Sequence, residues 1–368
     1  MKRLILFFSL ILSILPFPTH AQALITISQP STRLADGRFL DNTLAISLNP
    51  GGALDRSLLV PRTQQRIWAI DPALLEEISD LADGYVYLDT NNQEIVVEEF
   101  PLAIEWLDRL RFLSRNDRVV SLTYGAPSLS FLNSSAPGEL GIYQQLSQVR
   151  LSMILGRAVD APGPVQSATN PALVAKNSYT SLRKTMRVVN SLVTTSDVET
   201  LRLGIAKTLN PALDKESAVL MTRSYATEVK RFENRIRISP GNYTITASRY
   251  DLPVTIINDF NQQVSVDLDI TTTNSRVLVT QVPRVTIDAS SQVQIKIPID
   301  VIASGDTALR LQLRTPRGSA IGEIERIPLR LAVISPITTW FTTGMAIILL
   351  LAAVIQSVRR VKRRKQHE

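Results

Sequence analysis

The sequence predicts a multidomain protein. Its N-terminal α/β region has a reduced parallel sheet with a helical segment, its C-terminal part is an all-β immunoglobulin-like sandwich, and a single transmembrane helix follows. Three observations predict this. Strand-like and helix-like runs alternate from Leu44 to Thr123, the pattern of a parallel sheet covered by helices. Between residues 237 and 334 apolar positions recur at every second residue, as in Val293, Ile295, Ile297, Ile299 and Val301, the period of a half-buried strand. Trp340 to Val358 carries no charge, and nineteen helical residues reach about 28 Å, the scale of a bilayer's hydrocarbon core.

Taken in order, Lys2 and Arg3, the apolar run Leu4 to Pro18 and the small residues around Ala21 and Ala23 read as a signal peptide over 1–23. An α/β distal domain is expected over 24–159. In it Leu44–Leu48 reads as a strand closed by Asn49-Pro50-Gly51-Gly52, and Arg66–Ile70 as a second strand. Asp71 and Pro72 then open a helix with Leu74, Leu75, Ile78, Leu81 and Ala82 on one face, ended by Gly84. Tyr85–Leu88 reads as a further strand, Pro101 opens a helix with Leu102, Trp106, Leu110 and Leu113 inward, and Val119–Thr123 closes the series. Asp160-Ala161-Pro162-Gly163-Pro164 begins a linker and helical region over 160–236, with helices through Leu182 to Leu192, Val198 to Leu209 and Ala212 to Phe232. A worn-down barrel is the alternative source of that region.

About eight alternating strands fill 237–334 and predict an antiparallel sandwich that folds alone from about Arg235 to Ser335. The transmembrane helix is placed at 337–358, with Trp340 and Phe341 at the outer interface. Arg359, Arg360, Lys362, Arg363, Arg364 and Lys365 form a basic cytoplasmic tail over 359–368. Positive charge against one end of a span marks the cytoplasmic side, so the expected localisation is a single-pass cell-membrane protein with its ectodomain outside. A buried core helix is the plainer alternative.

The formal charge of +7 belongs wholly to the leader and the tail, and the region between them is near neutral. That excludes a nucleic-acid partner of the basic-patch kind. Cysteine is absent and the two histidines are His20 and His367, one in the leader and one in the tail. Ser-His-Asp and Cys-His nucleophiles and zinc sites with nitrogen or sulfur ligands are thereby excluded from the region between. No cofactor and no metal are expected.

Sites in α/β sheets lie beyond the carboxyl ends of strands, which singles out Trp68-Ala69-Ile70-Asp71-Pro72 and Leu122-Thr123-Tyr124-Gly125-Ala126-Pro127. Asp71 and Tyr124 are the catalytic or binding candidates, and for Asp71 the plainer role is a helix cap. Glu76-Glu77 and Glu98-Glu99 read as solvated faces. Ser181-Leu182-Arg183-Lys184 has the SxxK spacing without its companion motifs. Gly204-Ile205-Ala206-Lys207-Thr208 lacks the glycine a phosphate loop places before its lysine. Leu252-Pro253-Val254-Thr255 sits too far from the span to be a sorting signal.

Trp68-Ala69-Ile70-Asp71-Pro72-Ala73-Leu74-Leu75, Tyr124-Gly125 with Pro127, and Tyr243-Thr244-Ile245-Thr246 running into Leu252–Asn258 give the chain a resemblance. It resembles a family of uncharacterised, secreted, single-span actinobacterial proteins with a C-terminal Ig-like module, typically encoded beside a MurJ-type lipid II flippase. The resemblance implies envelope or peptidoglycan-synthesis proteins as partners. It also implies acidic residues in the Tyr-Gly-Pro loop, where this chain has Ala126 and Ser128. The function expected is that of a non-catalytic, membrane-anchored scaffold associated with cell-wall assembly. The rival is a carbohydrate-active hydrolase using Asp71.

Overall fold

The computed structural model describes residues 23–59, 66–162, 170–239, 241–332 and 336–364, with side chains of the last stretch described for 343–357. The chain forms two compact units. One runs to Tyr179 and adds Leu203–Tyr225, and the other takes Thr180–Arg202 and the residues from Ala226 onward.

The first unit contains β1 (Ala23–Ile27), α1 (Thr43–Leu48), α2 (Ala53–Ser57), β2 (Arg66–Ile70), α3 (Pro72–Ala82), β3 (Tyr85–Leu88), β4 (Glu94–Val97), α4 (Leu102–Ser114), β5 (Arg118–Ser121), α5 (Leu129–Ser135) and α6 (Pro137–Leu155). Strands β1, β2 and β5 form a three-stranded parallel sheet in the order β1-β2-β5. Trp68 and Ile70 of β2 are fully buried against Leu74, Leu75, Ile78 and Leu81 of α3 and Trp106 and Leu110 of α4. Both indoles are satisfied: Trp68 Nε1 donates to Asp117 at 2.8 Å and Trp106 Nε1 to the Leu54 carbonyl at 3.1 Å.

Three local expectations are corrected. Leu44–Leu48 is the helix α1, not a strand. Leu44, Ala45 and Leu48 are buried while Ile46 is exposed, a helical spacing, and the Asp41 carboxylate accepts the Thr43 N–H at the helix start. Tyr85–Leu88 is a strand but not a member of the parallel sheet. It pairs antiparallel with β4 through a turn in which the Asp89 carboxylate accepts the N–H groups of Asn91 and Gln93. Glycine is required at position 84, where φ is +98° and a Cβ would stand 2.3 Å from the Glu98 carbonyl oxygen. Residues 129–155, for which the sequence suggested no element, form α5 and α6.

Helices α7 (Leu173–Leu192), α8 (Ser196–Lys207) and α9 (Lys215–Glu233) each pass from one unit into the other partway along.

Among the described residues the second unit holds nine strands: β6 (Ile236–Ile238), β7 (Tyr243–Ile245), β8 (Arg249–Asn258), β9 (Val264–Thr272), β10 (Val277–Val279), β11 (Val285–Ile287), β12 (Ser291–Val301), β13 (Gly305–Arg314) and β14 (Ala320–Leu331). They form a four-stranded sheet, β10-β12-β8-β6, and a five-stranded sheet, β11-β9-β13-β14-β7. All pairings are antiparallel except β14 with β7, which is parallel. The inward rows include Leu252, Val254 and Ile256 of β8, Val264, Val266 and Leu268 of β9, and Leu309, Leu311 and Leu313 of β13. Along β12 the row is deep at Ile297 and Ile299 and only half-buried at Val293 and Ile295. A bulge between Leu311 and Leu313 interrupts the β13–β14 register. Asn258, fully buried, holds the β8–β9 turn: Nδ2 donates to the carbonyls of Gln262 and Asp288, and Oδ1 accepts the Phe260 N–H.

Helix α10 runs unbroken over Pro336–Arg364. Met345 to Ser357 are all exposed, among them Met345, Ile347, Ile348, Leu349, Leu350, Leu351, Val354 and Ile355. Among the described residues no helix is long and apolar enough to cross a membrane. The described side chains of α10 span about 22 Å at ~1.5 Å per residue, less than the ~30 Å hydrocarbon core. The side chains of Trp340, Phe341, Arg359, Arg360, Lys362, Arg363, Arg364 and Lys365 lie outside the described residues, as does the expected signal peptide apart from Ala23, which opens β1.

Candidate functional site

The carboxyl ends of the parallel strands in the first unit gather a set of buried polar groups. Asp71 follows β2, and Leu122 to Gly125 follow β5, whose path continues beside β2 through the Leu122 N–H on the Ile70 carbonyl. Asp71 is 1% exposed. Its Oδ1 accepts from the Ala73 N–H at 3.0 Å, capping α3, and from the Gly125 N–H at 2.9 Å. The two segments singled out in the sequence therefore meet at one carboxylate. Oδ2 is buried without a hydrogen-bond partner. Burial pushes the Asp71 carboxyl up to about 7, against the two N–H groups and Lys207, which favour its charged form; the Glu77 charge adds to the rise.

Tyr124 is buried but turns its hydroxyl elsewhere. It donates to Glu76 Oε2 at 2.6 Å, and both Glu76 oxygens accept from Arg150 Nη1 at 2.9 and 3.0 Å. The Arg150 guanidinium also lies 5.7 Å from the Tyr124 ring centre. Burial first, and then the Glu76 charge, raise the Tyr124 hydroxyl well above its ordinary value. It is a fixed donor to a carboxylate, not a poised acid.

The group that sequence reasoning missed is the ion pair beneath this loop. Glu77, expected on a solvated face, is 2% exposed. Its Oε1 accepts from Lys207 Nζ at 2.8 Å and from the Ser31 hydroxyl. Lys207 is equally buried, with its ammonium 5.8 Å from the Tyr225 ring centre. Burial works to lower the Lys207 ammonium, but the Glu77 charge, Tyr225 and the hydrogen bonds to both prevail and hold it above the ordinary lysine value. The signal was present: Glu77 stands three residues after Leu74 and four before Leu81, on the apolar face of α3.

Lys207 also shapes the loop. Gly125 has φ +73°, and a Cβ there would lie 2.6 Å from Lys207 Cγ and 2.9 Å from its Cα. Ala126 shares the left-handed conformation at φ +46°. The Gly125 carbonyl accepts from Asn210 Nδ2 at 3.0 Å, and the Tyr124 N–H donates to Ser147 Oγ at 2.8 Å. The loop is thus bonded to the Asp71 cap of α3, to α6 and to the turn after α8 at once.

Of the other motifs, Ser181 to Lys184 lies inside α7, and Leu252 to Thr255 inside β8. Among the described residues no group of three or more His, Cys, Asp or Glu side chains could hold a metal ion.

The fold defines a class: a multidomain protein of helices and sheets with an all-β C-terminal region. Residues 114–366 match the family described as "Family of unknown function (DUF6049)", and the chain belongs to that family. No curated protein matches the chain. Solved structures that resemble part of it include WR4, a C. elegans MSP family member, with TM-score 0.22 and 13% identity over 27% of this chain and 98% of that one. The E. coli chaperone DraB has TM-score 0.21 and 12% identity, covering 27% and 57% of the two chains. Native E. coli alpha-2-macroglobulin has TM-score 0.21 and 12% identity, covering 26% and 6%. Likenesses this slight say nothing about activity.

Proposed function

We propose that this protein is a non-catalytic, membrane-anchored extracytoplasmic envelope protein, a scaffold associated with cell-wall assembly. The observation that carries the reading is the commitment of the strand-end carboxylates to structure. Glu77 is neutralised by Lys207, Glu76 by Arg150, and Asp71 caps α3 while holding Gly125. A hydrolase of the paired-carboxylate type needs two carboxyl groups open to a substrate between them. The exposed apolar surface of α10 and the basic residues that follow support the anchor. The motifs at Trp68–Leu75, Tyr124–Pro127 and Tyr243–Asn258 support kinship with actinobacterial single-span proteins carrying an Ig-like module, and through it partners among the envelope or peptidoglycan-synthesis proteins.

The test is capture of the tagged full chain from membranes in mild detergent, with the co-purifying proteins identified by mass spectrometry. Envelope or wall-synthesis proteins should recur across independent trials, and their consistent absence would count against the scaffold.

One observation favours a second reading, a hydrolase using Asp71: its carboxyl titrates near 7 with one oxygen unpartnered. Turnover of peptidoglycan or arabinogalactan fragments by the purified chain, abolished in Asp71→Asn with the fold intact, would establish it over the scaffold.

A further inference from the structure

The pairing registers of the second unit place one end of its sandwich beside the point where the chain leaves for α10. Leu331, the last residue of β14, pairs with Gly305, the first of β13. The β12–β13 connection, Ile302 to Ser304, therefore lies at that end. It is tied there to the preceding turns: the Ile302 N–H donates to the Arg276 carbonyl and the Val301 N–H to the Ser248 carbonyl, both at 2.8 Å. Four residues, 332–335, separate Leu331 from Pro336. Fully extended they reach roughly 17 Å, so this end cannot stand far from the start of α10.

The same end is chemically distinct. Among the described residues the two sheets and their turns expose three large apolar side chains, Leu278, Ile302 and Ile324. Two of them are here: Ile302 is 60% exposed, and Leu278 on the short edge strand β10 is 61% exposed one residue from the Val277–Val301 pair. Scattered exposed apolar residues are ordinary on a protein surface, but these two stand together where the chain departs. Arginines flank them. Arg330 is exposed, opposite Asp306 in the β13–β14 register but in no ion pair among the described residues. The Arg276 guanidinium, bonded to the Ser304 carbonyl, is exposed as well. Asp300, opposite Leu278, has its charge matched by Arg249. The opposite end closes with Thr315-Pro316-Arg317-Gly318 and Asp288-Ala289-Ser290, two turns that expose no large apolar side chain among the described residues; the third exposed one, Ile324, lies along β14 across from the bulge between Leu311 and Leu313.

We propose that this end of the sandwich docks on an anionic lipid surface, with Ile302 and Leu278 at the headgroup boundary and Arg276 and Arg330 among the phosphates. The inference rests on the reading of α10 as a membrane anchor. The chemistry fits: apolar side chains settle at the headgroup boundary, and cations near it are drawn to anionic lipid.

The absence of cysteine makes a clean test. Single-cysteine variants of the full chain, Ile302→Cys, Arg317→Cys and Leu350→Cys, each carry a polarity-sensitive fluorophore. They are reconstituted in vesicles of phosphatidylglycerol with phosphatidylethanolamine, or of phosphatidylcholine alone. In the anionic vesicles the label at 302 should shift to the blue and lose quenching by aqueous iodide, while that at 317 stays quenched. Arg276→Glu with Arg330→Glu should restore quenching at 302 and leave 350 shielded. A label at 302 as accessible as that at 317, with 350 shielded, would overturn the docking and leave the anchor standing. Equal shielding at 302 in phosphatidylcholine would overturn the anionic specificity. A quenched label at 350 would overturn the anchor and the docking together.

Discussion

Asp71 makes a sign-definite prediction about pH. Its carboxyl titrates near 3.8 in the ordinary state and about 7 in the fold, so the folded chain holds a proton that the unfolded chain has lost. The contribution of this group to stability is complete below pH 4 and declines as pH rises toward 7. Three pH units correspond to roughly 4 kcal/mol at most. Asp71→Asn removes the titration, so the variant should gain on wild type between pH 4 and 7 and hold a constant offset above. Urea midpoints of both proteins across that range check this, and a pH-independent offset would refute it. Glu77 and Lys207 make a second prediction. Lys207→Met strands a buried carboxylate and should cost about 3–5 kcal/mol, whereas Lys207→Met with Glu77→Leu should recover most of the loss. Additive losses in a double-mutant cycle would mean that the two residues do not act as a pair.

The loop after β5 and the strand β12 carry predictions of their own. Gly125→Ala imposes both a left-handed φ and a contact with the Lys207 backbone, and about 2–4 kcal/mol of destabilisation should follow. Gly138→Ala, where a Cβ meets nothing within 4 Å, is the matched control. On β12, Ile297→Asp places an unpaired carboxylate at a fully buried position and should unfold the sandwich. Gln294→Asp on the exposed face should be tolerated. Equal damage from both would contradict the assigned faces. These contrasts also mark what the sequence could disclose. Strand alternation in the second unit was legible because its period of two ran through long strands with separate turns. Asp71-Pro72 announced α3 through a cap and a proline. The short elements were harder. Leu44–Leu48 offers five residues, too few to separate a period of two from one of 3.6, and α6 buries Tyr143 and Leu151 while exposing Val149 and Met153, so no clean stripe forms. The Glu77–Lys207 contact joins residues 130 apart in the chain, and no local pattern announces its partner.

At the scale of the molecule, the division between the two compact units falls inside helices, not in a linker. The second unit takes in the end of α9, where the Glu233 carboxylate accepts the Gly322 N–H, Lys230 pairs with Glu323, and Phe232 is buried under the Arg235 guanidinium. The sequence suggested that residues from about Arg235 fold alone. A fragment starting at Ala226 should outlast one starting at Arg235 by about 2 kcal/mol, the value of burying one large apolar side chain. Urea denaturation of the two fragments checks this, and equal midpoints would confine the cooperative unit to the strands. The parallel pairing of β7 with β14 has a mechanical consequence. Tension from α10 enters at Leu331 and runs along the axis of β14, whose ladder bonds to β13 on one side and β7 on the other lie across that axis. Such a load shears the bonds together instead of unzipping them singly, so a pull through α10 meets the strand in its most resistant direction.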